Sequence, residues 1–339
     1  MMLSRYLPRA DFVSYEDFLE NYRVAVPAGF NFAFDVVDEI AARDPQRRAL
    51  VWCDAAGRKA SFTFAEVKAW SDRAANVFAA AGVHKGDAVL LVLKRRYEFW
   101  FALLGLHKLG AVAVPATHLL REKDIAYRVE RAEVRLILSV GEPELQNQID
   151  AAAARCPGLR TRAFIGGGAP RDGWLDFSAA LERAPAAFPP PAGAAAAGGS
   201  DPMLLYFTSG TTGLPKMVLH DFTYPLGHLL TARFWQNLHE GGLHLTVADT
   251  GWAKAAWGKI YGQWLAGCAV FVYDMDAFDP KELLAVLARH RVGSFCAPAN
   301  CHTEHAPRSS EAVITNVITT TGFFCKSFIV PSIKKSRTG

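Results

Sequence analysis

Residues 208–216 read Thr-Ser-Gly-Thr-Thr-Gly-Leu-Pro-Lys. Four hydroxyls, on Thr208, Ser209, Thr211 and Thr212, alternate with Gly210 and Gly213. The glycines let the backbone turn and approach a ligand closely. Hydroxyls and free backbone N–H groups in such a bend form a concave anion site. Leu214 and Pro215 stiffen the exit, and Lys216 adds a mobile point charge suited to phosphate. The run lacks the Gly-Lys-Ser/Thr ending of a Walker A loop. A surface loop rich in Ser, Thr and Gly is the bland alternative, but nine residues in this order are far more specific than Gly-x-x-Gly alone. Cradling a polyphosphate is the chemistry they suit.

Other chemistry-bearing residues are weaker signals. Asp249-Thr-Gly-Trp252 precedes a helix start, where an anionic group is favoured. From the residues alone, Trp252 and Trp257 both read as core aromatics. His220, His228, His239 and His244 show no triad order, so each is expected to be a structural histidine with satisfied partners. Gly166-Gly-Gly168 reads as a plain turn. Cys301, His302, Glu304 and His305 are ligand types without a second half at zinc-finger spacing, so no metal site is expected.

Positioning the phosphate-type loop requires a strand before it. Met203-Leu-Leu-Tyr-Phe207 is an apolar run rich in β formers, with Pro202 at its start. Upstream, strands and helices alternate. Residues 49–52 and 60–64 form a hairpin around 54–57, and residues 35–41 and 64–81 are helical. Residues 88–93 make a fully buried strand, and a helix over 97–109 stops at Gly110. Strands at 111–115 and 134–139 flank a helix at 122–132, and residues 142–156 are helical. After the loop, helices are expected at 226–238, 253–265 and 280–290, with strands at 243–247, 268–273 and 292–297. Asp279-Pro280 is a helix start. This alternation predicts an α/β fold with parallel sheets. Residues 184–200 are a Pro/Ala/Gly stretch that reads as a flexible connector. It divides an α/β subdomain at 1–183 from a second at 201–298, with a poorly ordered tail at 299–339.

The 339 residues are 51% hydrophobic and 21% charged, a globular balance with room for a large core. A net charge of +4 on scattered basic residues gives no support to nucleic-acid binding. No apolar run reaches membrane-spanning length. Six dispersed cysteines with no Cys-x-x-Cys point to buried thiols in a reducing compartment. The cytoplasm is expected, with the mitochondrial matrix as the alternative because Arg5 and Arg9 stand in an acid-free N-terminus.

The loop resembles the phosphate-loop signature of the AMP-forming acyl-CoA synthetases of the adenylate-forming superfamily. Residues 95–100, 108–117, 124–128, 249–263 and 295–298 look like the medium-chain branch, so the resemblance runs from about residue 11 to 298. It implies the large N-terminal domain of that fold, with mostly parallel sheets flanked by helices and no C-terminal domain. It implies ATP, Mg²⁺ and coenzyme A, with a small-molecule carboxylate as substrate. By resemblance, Thr208 to Lys216 holds the β- and γ-phosphates, with Lys216 in the catalytic role, and Trp252 lines the acyl pocket. From Ala299 the pattern stops, and the family's adenine, ribose, hinge and C-terminal lysine elements do not appear. That departure implies a truncated or frame-shifted gene product with apolar sheet surface left open. An aryl-CoA ligase and a non-catalytic nucleotide-binding remnant are the alternative readings.

Overall fold

Strand β3, Ala88–Val92, is buried along its whole length. Val89 and Leu91 face one core while Leu90 and Val92 face another. A strand apolar on both sides must be covered on both sides, and that requirement explains the layering of the chain. The structure is a computed structural model that describes residues 2–208 and 213–297.

The described residues form two sheets. The larger runs through β7 (Trp174–Asp176), β6 (Thr161–Ile165), β5 (Val134–Val140), β3, β4 (Val112–Pro115), β8 (Pro202–Thr208) and β9 (Lys216–Asp221), in that spatial order. It is parallel except for the β8–β9 pair. The smaller has the order β12 (Ser294–Cys296), β10 (Leu243–Thr246), β11 (Ala269–Asp274), β1 (Arg48–Asp54), β2 (Lys59–Thr63), and only β1–β2 is antiparallel.

Helices Phe64–Ala80 and Glu98–Leu109 share one core with the inner faces of both sheets. Helices Glu122–Arg131 and Pro143–Ala153 cover the outer face of the larger sheet. Helix Pro280–His290 covers that of the smaller. The result is five layers, α-β-α-β-α. The two central helices cross closely because Gly105 has no side chain: a Cβ there would sit 2.8 Å from Ala74 Cβ.

Several expected boundaries hold. The helix starting at Phe64 carries a capping box between Thr63 and Glu66. Gly110 ends its neighbour in the left-handed region, and Asp279 caps Lys281 and Glu282. Other expectations change. The helix expected over 253–265 breaks at Ile260, because the Lys259 carbonyl accepts from the Trp100 indole at 3.1 Å. The helix expected over 226–238 is a 3₁₀ turn, Tyr224–His228, and a π turn, Thr231–Trp235. Pro225 removes a helix donor there, and the Thr231 hydroxyl takes the His228 carbonyl. The helix near 35–41 opens as a π turn over Ala33–Asp38. Strands β6, β7 and β9 and the helix Tyr15–Asn21 were not expected.

The sheets do not divide at the connector. The larger sheet takes β3–β7 from before it and β8–β9 from after it, and the smaller sheet likewise draws on both sides. The expected boundaries at 183 and 201 therefore coincide with no sheet boundary. The connector is also held near both of its ends. Arg73 donates to the carbonyls of Glu182 and Ala184, and Asn76 to those of Pro185 and Ala187. Lys85 donates to the Ala196 carbonyl and pairs with Asp201. A Pro/Ala/Gly run has few side-chain donors of its own but many carbonyls free to accept. The expected tail at 299–339 lies outside the described residues.

At the outer edge, β9 exposes Met217, Val218 and Leu219. Among the described residues no helix is long and apolar enough to cross a membrane.

The central layer is pinned by charge. Lys108, fully buried, donates to Asp72 at 2.6 Å and Asp38 at 2.8 Å. Asp72 is equally buried and also takes Lys68, whose side chain is partly exposed. Lys108→Ala leaves Asp72 Oδ1 buried without its cation, with only the partly exposed Lys68 on Oδ2, and takes the partner of Asp38 as well; it should cost about 3–5 kcal/mol in denaturant unfolding. Lys68→Ala should cost about 1 kcal/mol or less. Equal costs would contradict this division of roles.

Candidate functional site

The β8–β9 register pairs Thr208 directly with Lys216. The phosphate-type loop is therefore the closed end of an antiparallel hairpin, and its first hydroxyl residue and its lysine stand side by side at the mouth. Ser209, Gly210, Thr211 and Thr212 lie outside the described residues. Gly213 has φ +92°, a left-handed backbone suited to glycine. Leu214 and Lys216 are exposed, and Pro215 is half-buried. The hairpin is braced from the neighbouring helix: the Tyr127 hydroxyl donates to the Pro215 carbonyl at 3.0 Å, and the Arg128 guanidinium lies 5.1 Å from the Phe207 ring centre. The sequence reading missed this brace, because residue 127 is remote in sequence.

The second segment, Asp249 to Trp252, lies where the carboxyl ends of the two sheets meet. A Cβ on Gly251 would fall 2.1 Å from the Ala116 carbonyl carbon and 2.2 Å from Thr117 N. Glycine alone allows the exit of β10 to press against the exit of β4. The Thr250 hydroxyl donates to the Lys94 carbonyl at the exit of β3. Lys94 has φ +51°, sparsely populated for a non-glycine residue, and its ammonium pairs with Glu142 after β5. In parallel sheets the crevice at the strand-order reversal is the usual ligand site. Here that reversal lies between β3 and β5, and the Lys94–Glu142 pair spans it.

An anion was expected at the helix start after Asp249. The turn instead uses the chain's own carboxylate: Asp249 Oδ1 accepts the Gly251 N–H at 2.9 Å. Its Oδ2 is buried with no hydrogen-bond partner among the described residues. His118 Nδ1 lies 3.9 Å from it and is also unpartnered. Burial lowers the His118 pKa despite that carboxylate, so the ring is neutral at pH 7. Lys259 is 2% exposed and donates to the Ala248 carbonyl at 2.7 Å. Burial, helped by Arg95, brings its pKa down to about 7.

Trp252 is 62% exposed, so among the described residues it neither walls an enclosed pocket nor joins the core. Trp257 is half-buried and packs on the exposed Trp235 at 4.6 Å, which corrects the expectation of a core residue. The histidines are largely structural. His244 meets Ser294 at 3.0 Å and Thr246 at 2.8 Å. His228 packs against Tyr224 and Tyr261, but its Nε2 has no partner among the described residues. His220 stacks on Tyr224 at 3.8 Å. Cys53, Cys156, Cys268 and Cys296 are buried free thiols. Among the described residues no group of three or more His, Cys, Asp or Glu could hold a metal, and Cys301 to His305 lie outside them.

Residues 37–303 match the family model described as AMP-binding enzyme. The chain is 34% identical over 281 residues to human mitochondrial acyl-coenzyme A synthetase ACSM5, covering 81% of this chain and 47% of that protein. It is 29% identical over 320 residues to human mitochondrial ACSM3, covering 92% and 52%. The chain thus spans about half the length of the curated relatives it matches. Its fold is like that of a Brucella canis acyl-CoA synthetase, with TM-score 0.69 and 23% identity over 78% of this chain and 47% of that one. It is also like that of the anthranilate CoA ligase AuaEII, with TM-score 0.69 and 22% identity over 80% and 50%.

Burial holds the pKa of His107 and His244 down to about 3 and that of His228 to about 4. Each is neutral when folded and takes a proton more readily when unfolded. Their stabilising contribution is therefore complete above the unfolded value near 6.5 and is lost as pH falls toward 3–4. Unfolding free energy should drop between pH 7 and 5, by on the order of 2 kcal/mol for each fully buried ring. His244→Asn should flatten that slope in urea titrations. A stability unchanged down to pH 4 would contradict it.

Proposed function

Because the chain belongs to the AMP-binding enzyme family, we propose that it is the nucleotide- and carboxylate-binding part of an AMP-forming acyl-CoA ligase. The observation that carries this reading is the β8–β9 hairpin, whose register sets Thr208 beside Lys216 at the mouth of a hydroxyl- and glycine-rich bend. The names of the relatives, acyl-coenzyme A synthetases, support a carboxylic acid as substrate, and the resemblance of residues 95–100, 108–117 and 249–263 to the medium-chain branch favours a medium-chain acid.

The chemistry follows from the leaving groups. A carboxylate is a poor acyl donor. Its oxygen attacks the α-phosphorus of ATP, the bond from that phosphorus to the bridging oxygen breaks, and pyrophosphate leaves. The sulfur of coenzyme A then attacks the acyl carbon, AMP departs, and a thioester remains. Thr208, Ser209, Gly210, Thr211, Thr212, Gly213, Leu214 and Pro215 would cradle the triphosphate with hydroxyl and backbone donors. Lys216 would offset the charge that builds on the departing pyrophosphate. It is exposed at the start of β9, free to follow that charge. Mg²⁺ would screen the phosphates when bound with the nucleotide, since such ions are held by phosphates and few protein groups. We place Trp252 at the acyl side, on the turn after β10. Buried free thiols favour a reducing compartment, the cytoplasm or the mitochondrial matrix.

The test is pyrophosphate release by this chain with a panel of alkanoic and aromatic acids, beside ATP binding measured by calorimetry. Lys216→Ala should weaken ATP binding by about tenfold or more, as expected for loss of a charged phosphate contact. Unchanged ATP binding in Lys216→Ala would remove the phosphate-loop role. Release with alkanoic acids supports the medium-chain reading, and release with aromatic acids alone supports an aryl-CoA ligase. ATP binding without release identifies a nucleotide-binding remnant.

A further inference from the structure

We propose that Tyr127 is a positioning residue for the phosphate-gripping end of the β8–β9 hairpin, holding the backbone from which Lys216 projects. This rests on the phosphate reading above and adds to it a residue outside the loop.

One side chain touches both arms of the hairpin. The Tyr127 hydroxyl donates to the Pro215 carbonyl at 3.0 Å. Its ring meets the Phe207 ring edge-on, with 6.1 Å between centres. Phe207 immediately precedes Thr208, and Pro215 immediately precedes Lys216. Thr208 and Lys216 are the paired residues at the mouth of the bend. Tyr127 therefore holds each arm one residue before a group that would meet phosphate. Arg128 adds to the first arm. Its guanidinium lies 5.1 Å from the Phe207 ring centre and donates to the Asp124 carbonyl of its own helix at 2.9 Å.

The hydroxyl bond acts on a single torsion. A proline ring fixes φ, so ψ alone decides where the Pro215 carbonyl points. That carbonyl shares a planar peptide unit with the Lys216 nitrogen. Fixing it therefore fixes the direction in which the chain enters Lys216. The hold matters because β9 is an edge strand, with β8 on one side and no strand beyond it among the described residues. Leu214 and residues 216–219 are exposed. Among the described residues, no other side chain hydrogen-bonds to residues 213–219.

The helix carrying Tyr127 is itself anchored. Ile125, Ala126 and Val129 of helix Glu122–Arg131 are buried. The Glu122 N–H donates to Gln148 Oε1 of the next helix at 2.9 Å. Lys216 thus keeps a mobile ammonium on a fixed Cα, and charge held ready in place is what stabilises a developing anion.

The experiment pairs two measurements on this chain. Hydrogen exchange over residues 213–219 is compared between wild type and Tyr127→Phe, which loses the hydroxyl and keeps the ring. Exchange there should quicken about threefold or more, with helix Phe64–Ala80 unchanged. ATP binding is then measured by calorimetry in Tyr127→Phe, Lys216→Ala and the double variant. Tyr127→Phe should weaken it about threefold or more, the scale of one neutral hydrogen bond. In the Lys216→Ala background the same change should alter binding by less than about twofold, because Tyr127 acts through Lys216. If Lys216→Ala binds too weakly to titrate, the exchange and the single Tyr127→Phe variant decide. Unchanged exchange, unchanged ATP binding in Tyr127→Phe, or an equal loss in both backgrounds overturns the positioning role and leaves the phosphate reading intact. Exchange that quickens throughout the chain, with a lowered melting temperature, is general destabilisation and overturns it likewise. ATP bound equally by wild type and Lys216→Ala, or by neither, overturns both.

Discussion

The contact between Gly251 and the Ala116–Thr117 backbone is the constraint on which the rest of the arrangement depends. Two twisted sheets with helices between them have no inherent reason to bring their carboxyl ends together. They do so here because a residue without a Cβ allows two backbones to touch. The Thr250 bond to the Lys94 carbonyl ties the exit of β3 to the same point. Polar groups that would otherwise sit at separate sheet ends then share one junction: Asp249, His118 and Lys259. Sheet alternation does the rest, by filling both faces of β3 with aliphatic side chains.

Buried charge has two roles in this fold. Around Lys108 it is fully paired, joining the π turn at Asp38 to helix Phe64–Ala80 through Asp72. Such a pair orients elements more than it stabilises them. Around Lys259 and Asp249 it is incompletely paired. The first arrangement suits a structural pin. The second is the kind found at functional sites, where groups with displaced pKa values and open hydrogen bonds gather. The phosphate-type hairpin differs from both. Lys216 stands in solvent, and the hairpin's fixed support comes from Tyr127 behind Pro215.

Elements with strong periodicity or clear caps were legible in the sequence. The buried strand at Ala88–Val92, the capped helix from Phe64, the stop at Gly110 and the Asp279 cap follow from local residue chemistry. Elements governed by distant partners were not. The break at Ile260 depends on an indole from residue 100, and the connector is held by Arg73, Asn76 and Lys85. Strand β9 was hidden because its apolar run, Met217-Val-Leu219, is short and exposed at the sheet edge. The two-sheet arrangement was hidden because each sheet combines strands from both sides of residues 184–200. At the site, the loop and the Asp249 turn were legible as motifs. His118 was not, because it meets Asp249 only once β4 and β10 end at one place.

The central claim is that the bend between β8 and β9 grips the anionic end of a nucleotide. Its most direct measurement is the structure of this chain crystallised with ATP. The account predicts the triphosphate within hydrogen-bonding distance of Thr208 and the Lys216 ammonium, enclosed by the bend. A nucleotide lodged elsewhere, with that hairpin free of phosphate, would contradict it.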